Sequence, residues 1–323
     1  MANCAFRIMC ALVMGYAAFV PAGAACEDLL RLAVGAPNNW DSGVPTVGQE
    51  AGIFKKHGLR LELLYTNGGG ETLQAVISGG VDIGIAAGTG AVAGAFAKGA
   101  PVRILLAGTT GAGDLYWYVP QSSPLKSFSE LNGRTVAYST NGASTHITLL
   151  ALIKHFGVSA RPVSTGAAAV TVTQAMSGQV DVGWASPPFG LKEIDAGQIR
   201  VIARATDSAL VRGQTVRVLV TNTDTLTRRK DVVARFLDAY REAIDYMYSD
   251  NPQVIKDYAE FTGVPEATAR RVRDEFFAKS VVNPDDISGL DALVKEAVNL
   301  KFIERPLTAQ QLAELIQIPP RKK

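Results

Sequence analysis

Cysteine is nearly absent from this chain of 323 residues. The three cysteines, Cys4, Cys10 and Cys26, all lie within the first 26 residues, and no cysteine–histidine spacing is typical of a zinc site. A disulfide framework is therefore excluded for most of the chain. We expect no metal and no cofactor.

An excess of charge of either sign is also missing. The chain has 32 Lys and Arg against 30 Asp and Glu, so its formal net charge is only +2. A protein that binds nucleic acid through a broad basic face needs a larger positive excess, so we expect no nucleic-acid partner. The 47% hydrophobic content is instead typical of a globular protein, and the length indicates two domains.

Long hydrophobic runs are missing after residue 25. The one apolar run, Ile8 to Val20, follows Arg7 and precedes the small residues Ala22-Gly23-Ala24. This pattern predicts a signal peptide over residues 1–25. The run is shorter than the roughly 20 residues that a transmembrane helix needs. We therefore expect an exported, soluble, periplasmic protein with no transmembrane segment.

Cys26 follows this segment and raises the question of a lipid anchor. Residues 23–25 lack the large aliphatic residue that normally precedes a lipidated cysteine. Plain cleavage is the favoured interpretation, and an anchor at Cys26 is the alternative.

An internal repeat divides the rest of the chain. Residues 78–84, Ser-Gly-Gly-Val-Asp-Ile-Gly, recur 99 positions later as Ser-Gly-Gln-Val-Asp-Val-Gly at residues 177–183. Each copy follows a predicted helix and begins a predicted strand, and its Ser-Gly pair is typical of a helix end. Two copies at this spacing predict two α/β lobes of about 100 residues each.

The alternation of helices and strands predicts two parallel sheets. Two further extended runs, Leu115–Val119 and Thr215–Thr221, flank the second lobe, and we expect them to cross between the lobes. A helical stripe of apolar residues follows from Val233 to Met247. The strands predicted for the sheets are Leu30–Val34, Leu59–Tyr65, Val81–Ala86, Val102–Ala107, Thr135–Tyr138, Val180–Trp184 and Ile199–Ala203.

Two motifs and the repeat resemble a known group of proteins. Residues 50–59, Glu-Ala-Gly-Ile-Phe-Lys-Lys-His-Gly-Leu, resemble a signature of periplasmic solute-binding proteins of the sulfonate, taurine, nitrate and thiamine-pyrimidine-precursor group. Residues 131–137, Leu-Asn-Gly-Arg-Thr-Val-Ala, and the repeated Ser-Gly-x-Val-Asp segment are similar to the same group. None of these motifs identifies a ligand.

The resemblance implies a bilobal periplasmic-binding-protein fold of type II with C-terminal helices on lobe 1. It implies a monomeric protein that delivers a small ligand to the permease and ATPase subunits of an ABC importer. Residues 26–114 and 217–323 would form lobe 1, and residues 115–216 would form lobe 2. No Gly-x-Ser-x-Gly, His-Glu-x-x-His or P-loop motif is present, so we expect a binding protein and not an enzyme.

Loops of small and polar residues follow the predicted strands. Ligands of open parallel sheets lie beyond the carboxyl ends of the strands, and helix N-termini there suit anions. The same residues also serve as ordinary helix caps, which is the alternative for about half of them. The predicted ligand-binding residues are Asn38, Asn39, Trp40, Gly69, Gly70, Thr72, Gly88, Thr89, Thr140, Asn141, Ser144, Thr145, His146, Trp184 and Pro187.

Trp40 and Trp184 fall at predicted cleft ends, one in each lobe. Two facing indoles would sandwich a planar or aliphatic ligand, and packing in the core is the equal alternative. His146 lies at a predicted helix start, where a ligand contact and a solvent-facing side chain are equally compatible with the sequence. The sandwich predicts that Trp40→Ala and Trp184→Ala weaken binding without unfolding.

The ligand class stays open between two alternatives. Arg204, Arg212 and Arg217 lie near the second crossing run and offer a bidentate grip on a sulfonate or carboxylate, although solvated surface arginines are the commoner case. Glu71 would neutralise or repel an anion if it faced the cleft. We expect a small organic anion such as an alkanesulfonate, taurine or a carboxylate, with a planar ring such as a pyrimidine or aromatic acid as the alternative.

Three competing functions have weaker support. Residues 88–94, Gly-Thr-Gly-Ala-Val-Ala-Gly, follow a strand, but the next strand carries no acidic residue to hold a ribose. A pyrimidine-synthesising enzyme shares the implied fold, but the resemblance would then require a cysteine-rich iron-binding run. A ligand sensor without a transport role would need a fused signalling segment, which is not evident.

Overall fold

The computed structural model describes residues 27–321. The predicted signal peptide, Cys26 and the last two lysines lie outside these residues. The strands are, in chain order, β1 (Asp28–Gly35), β2 (Leu59–Thr66), β3 (Ile83–Gly88), β4 (Val102–Ala107), β5 (Tyr116–Pro120), β6 (Thr135–Tyr138), β7 (Arg161–Ser164), β8 (Gly183–Ala185), β9 (Ile199–Arg204) and β10 (Arg217–Asn222).

Helices connect these strands and extend the C-terminal part. They are α1 (Val44–Glu50), α2 (Ile53–Lys56), α3 (Gly69–Ile77), α4 (Thr89–Ala97), α5 (Ser144–Phe156), α6 (Ala168–Met176), α7 (Leu191–Asp195), α8 (Thr223–Arg228), α9 (Lys230–Met247), α10 (Gln253–Thr262), α11 (Glu266–Arg271), α12 (Leu290–Asn299) and α13 (Ala309–Leu315). No helix in the described part of the chain is both long and apolar enough to cross a membrane.

The strands form two sheets of matching topology. The first has the order β2-β1-β3-β10-β4. In the second, the order β8-β5-β9 continues to the pair β6-β7 through a parallel bridge between Val136 and Val182. The full order is thus β7-β6-β8-β5-β9, which repeats the first sheet with β5 in the place of β10. We call the two units the first and second lobes.

The crossing strands enter each sheet against the direction of their neighbours. β10 is antiparallel to β3 and β4, and β5 is antiparallel to β8 and β9, whereas β1, β2 and β3 are mutually parallel. Each sheet therefore consists of parallel strands plus one antiparallel strand contributed by the chain as it passes between lobes. The segments that lead into β5 and β10 pair with each other through an antiparallel bridge between Thr110 and Thr215.

The internal repeat places the same local structure in both lobes. Gly79 and Gly178 both have φ of +75°, which glycine adopts without the strain of a Cβ atom, and each ends a helix. Asp82 then accepts a hydrogen bond from the backbone N–H of Arg31, and Asp181 accepts one from Thr135, at 2.8 Å in both cases. The repeated aspartates thus fix the neighbouring strand in each lobe and are not paired with each other.

Each lobe has its own hydrophobic core. The apolar stripe from Val233 to Met247 forms one face of α9, as predicted, and it is buried in the same core as the first sheet, Trp40 and Phe54. The second core surrounds Trp117 on β5, whose indole donates to the carbonyl oxygen of Ala137 at 2.9 Å. Because the cores are separate, the cleft lies between two bodies that are each internally packed.

Candidate ligand-binding site between the two lobes

A buried polar cluster joins the two lobes where the crossing strands begin. Its centre is Arg217, the first residue of β10. The guanidinium donates from Nη1 to Asp41 at 2.9 Å, from Nη2 to Asp114 at 2.7 Å and from Nε to the hydroxyl of Ser144 at 3.1 Å. Ser186 donates to Asp114 at 2.6 Å, and Asn39 donates to Ser186 at 2.9 Å.

The cluster draws on five chain segments from both lobes. Asn39 and Asp41 follow β1, and Asp114 lies shortly before β5. Ser144 is the first residue of α5, and Ser186 follows β8. We call Asn39, Asp41, Asp114, Ser144, Ser186 and Arg217 the interlobe cluster. Each of these residues is at most 9% exposed, so the cluster is withdrawn from solvent.

Arg217 is held as a cation. Burial alone would lower the pKa of its guanidinium, but the charges of Asp114 and Asp41 and their hydrogen bonds raise that pKa above its ordinary value. Thr109 adds a further hydrogen bond to the Oδ2 atom of Asp41. The cluster therefore contains one fixed positive charge between two carboxylates.

The lobes are closed upon each other around this cluster. The backbone N–H of Gly70 donates to the hydroxyl of Thr140 at 3.1 Å, from the first lobe to the second. A Cβ atom on Gly68 would stand 2.7 Å from the side-chain oxygens of Ser139 and Thr140, closer than real Cβ atoms come. The cavity lined by α4, α5 and α12 measures about 20 Å³, which is room for a single water.

Several predicted site residues lie on this interlobe surface. Gly70 and Gly88 of the first lobe face the loop of Asn141 and Gly142 in the second. Thr140, Asn39 and Ser144 make the hydrogen bonds across the cleft described above. The loops predicted to hold a ligand therefore also form the contact between the lobes.

Other predicted site residues are engaged within their own surroundings. The hydroxyls of Thr72 and Thr145 bond to neighbouring loop atoms of their own lobes, and that of Thr89 donates to the carbonyl oxygen of Thr215 at 2.6 Å. Asn38 has φ of +73° and its carbonyl oxygen accepts from Tyr258. These contacts are those of loop and helix-cap residues. Gly69 approaches Ala86 and Gly88 of its own lobe, and Pro187 is buried in a cis peptide with Pro188.

The predicted indole sandwich is not formed. Trp40 is fully buried in the first core, with its ring 4.7 Å from that of Tyr258 and 6.0 Å from that of Tyr248. Trp184 is 3% exposed and belongs to the second core. Each indole is thus enclosed by apolar side chains of its own core, as the core alternative expects.

His146 lies at the edge of the cleft. Its ring stacks on Tyr138 with centroids 4.3 Å apart and meets Phe302 edge-on at 6.3 Å, and its Nδ1 accepts from the N–H of Gly142. Burial lowers the pKa of His146 below its ordinary value of 6.5. The side chain thus packs between Tyr138 of the second lobe and Phe302 of the first.

The remaining charged candidates differ in their surroundings. Glu71 is exposed and accepts hydrogen bonds from Asn67 at the start of its own helix. Arg212 is exposed, and Arg204 lies over the ring of Tyr116. Of the three arginines, Arg217 alone enters the interlobe cluster.

Sequence reasoning missed Asp41 and Asp114, and it placed Ser186 in a predicted cleft loop without selecting it as a ligand-binding residue. Each stands in a loop beside a strand, where aspartate and serine usually act as caps, so nothing local marks it as part of a site. Their partners lie far away in sequence: Arg217 is 176 positions from Asp41 and 103 from Asp114. Within residues 27–321 no group of three or more His, Cys, Asp or Glu side chains is arranged to hold a metal ion.

Comparison with protein families gives a match over most of this architecture. The model described as NMT1/THI5 like matches residues 41–254, which include both connections, the second lobe and the repeat. A curated relative from Saccharomyces cerevisiae, 4-amino-5-hydroxymethyl-2-methylpyrimidine phosphate synthase THI5, is 24% identical over 226 residues, or 67% of this chain. That match spans 66% of the relative, so the chain covers just under two thirds of its length.

Solved structures of similar shape include two sulfonate-binding proteins. The alkanesulfonate-binding protein SsuA from Xanthomonas axonopodis pv. citri, bound to MOPS, is 19% identical with a TM-score of 0.72, covering 90% of this chain and 98% of that one. The periplasmic aliphatic sulphonate binding protein SsuA from Escherichia coli is 18% identical with a TM-score of 0.68, covering 91% and 94%. These neighbours confirm the predicted periplasmic-binding-protein fold.

Proposed function

The chain belongs to the NMT1/THI5-like family, and we propose that it is the extracytoplasmic substrate-binding subunit of an ABC importer. It takes a small organic ligand into the interlobe cleft and presents it to the permease. In this proposal residues 26–114 and 217–323 form lobe 1, residues 115–216 form lobe 2, and residues 1–25 direct export.

The interlobe cluster is the observation that supports this function best. A polar cluster built from both lobes at the two connections links ligand contact to lobe closure, because a ligand that touches both sides favours the closed state over the open one. Its residues are buried by the closed lobes, so binding and release both require hinge motion about β5 and β10.

The ligand predicted from the sequence is a small organic anion of the alkanesulfonate, taurine or carboxylate type. Both SsuA neighbours are sulfonate-binding proteins by name, which supports this class. The planar-ring alternative has its support in the relative named for a pyrimidine phosphate. The surroundings of Arg217 weaken the anion proposal, because its guanidinium is already paired with two carboxylates.

An enzyme is the second candidate, because the curated relative from yeast is named a synthase. Binding without turnover separates the two functions. The mature chain is titrated with sulfonates, carboxylates, amines and pyrimidines by thermal shift, and each stabilising compound is then recovered and analysed by mass spectrometry. The importer proposal predicts saturable stabilisation and recovery of the compound unchanged. Conversion of the compound to a product would contradict it.

A further inference from the structure

The interlobe cluster carries one negative charge in excess. Arg217 supplies one positive charge, and Asp41 and Asp114 supply two carboxylates, with side chains 4%, 7% and 0% exposed. Their other described hydrogen-bond partners, Thr109 and Ser186, are uncharged hydroxyls. An uncompensated charge withdrawn from water is costly, so a protein keeps one where something else completes the balance.

Both carboxylates also keep one oxygen unused. Every described hydrogen bond to Asp41 and Asp114 goes to Oδ2, and the Oδ1 atoms of both are buried without a partner. Buried acceptors are normally satisfied, and a carboxylate oxygen accepts but does not donate. The missing partner is therefore a hydrogen-bond donor, and a positively charged donor would balance the charge of the cluster as well.

We infer that the cleft recognises a small organic cation, whose protonated amine or amidinium group donates to the Oδ1 atoms of Asp41 and Asp114. This inference rests on the proposed function and specifies its ligand. The cation brings the buried charge of the cluster to zero, and its N–H groups form charge-assisted hydrogen bonds, the stronger kind.

An anionic head group fits the same cluster poorly. It would bring the buried charge to minus two and offer no hydrogen to the unused oxygens. Its natural partner, Arg217, already donates to Asp41, Asp114 and Ser144. Discrimination between ligand classes therefore arises from unfavourable charge as much as from attraction.

Three aromatic compounds of nearly equal shape test the sign of the ligand charge. Benzamidine is a cation, benzamide is neutral and benzoate is an anion at pH 7.5. The inference predicts that benzamidine raises the Tm of the mature chain in a concentration-dependent way, that benzamide does so less, and that benzoate does not. Ethylamine and ethanesulfonate repeat the comparison without a ring. Stabilisation by the anions with none by the cations overturns the inference but leaves the importer proposal standing.

Asp41→Asn and Asp114→Asn test the surplus charge without any ligand. An asparagine keeps an oxygen for Arg217 and removes the excess negative charge, so we expect at least one variant to melt about 2–4 °C higher than the parent chain. The same variant should bind a stabilising cation about 30-fold more weakly. Asp224→Asn, at an exposed ion pair with Arg228, is the matched control and should change neither value.

The Tm of the two asparagine variants and their affinity for a cation together test the inference. If both asparagine variants melt lower than the parent, the carboxylates only hold Arg217, and the inference is wrong even when no compound of the panel binds. A cation that binds both variants as tightly as the parent also overturns it.

Discussion

Replacing Gly70 with alanine should separate the lobes without damaging either of them. Gly70 is the second residue of α3, and a Cβ atom there would meet the hydroxyl oxygen of Thr140 at 2.9 Å and the carbonyl group of Asn141 still more closely. The two lobe surfaces must move apart by about 1 Å or more to reach van der Waals distance. Closure is therefore the process that this substitution opposes.

The magnitude follows from two opposing effects. Overpacking a close contact costs about 1–3 kcal/mol, which lowers the ratio of closed to open molecules by about 5- to 150-fold. Alanine is at the same time a better helix former than glycine by roughly 0.5–1 kcal/mol. The lobe itself should thus be no less stable, while the closed state is disfavoured.

Small-angle X-ray scattering measures the opening directly. The Gly70→Ala chain should have a larger radius of gyration than the parent, bind any ligand of the panel more weakly and keep its Tm. Gly80→Ala is the control, because Gly80 lies in the same lobe and its nearest Cβ contacts are an ordinary 3.5 Å. An unchanged radius together with unchanged affinity would refute the assignment of these loops as the closing surface.

Three further changes follow from the buried contacts. Arg217→Met leaves two carboxylates buried without a cation and should cost about 3–5 kcal/mol of unfolding free energy; urea denaturation measures it, and a loss below 1 kcal/mol would contradict the account. Trp40→Ala should cost a similar 3–5 kcal/mol of unfolding free energy, because it leaves a cavity in the first core. The expected defect is therefore a lower Tm. A variant with normal Tm and weaker ligand binding would instead support the indole sandwich. Because burial lowers the pKa of His146 from 6.5, its contribution to stability is present above pH 6.5 and is lost as pH falls through the folded-state pKa; His146→Phe should flatten the melting profile over that range, and an unchanged slope would contradict the burial effect.

The elements that sequence predicts best are those that local patterns specify. β4 and β6 have the predicted bounds, because each is a short apolar run that ends at a polar or glycine-rich segment. The repeat predicts two lobes because it marks the same helix-to-strand joint in each. The strands that follow the repeat, β3 and β8, begin two and three residues later than the sequence suggests. The reason is that the side chains of Asp82 and Asp181 accept hydrogen bonds from backbone N–H groups of the neighbouring strand.

β7 is a strand that the sequence pattern does not predict. Arg161–Ser164 contains Pro162 and is mostly exposed, so it shows neither alternation nor an apolar run. It lies at the edge of the second sheet, next to β6 alone. Proline is tolerated on such an edge because fewer ladder hydrogen bonds are needed there.

The sequence indicates which loops lie between the lobes but not the contacts that they make. In several cases, including those of Asn39 and Ser144, the loops predicted to line a cleft contact the other lobe, and their role in ligand binding stays a prediction. The interlobe cluster depends on the contacts among Asp41, Asp114 and Arg217. These residues come together only because of the path that the two connections take between the lobes. A local pattern cannot show that two loop aspartates so far apart in sequence share one arginine.

Hydrogen–deuterium exchange of the mature chain with and without a saturating ligand tests the central claim most directly. The account predicts that added protection concentrates in the loops around Asp41 and Ser186, at the start of α5 near Ser144 and at the start of β10. Protection confined to a surface outside the cleft, with these segments unchanged, would contradict a ligand site between the lobes.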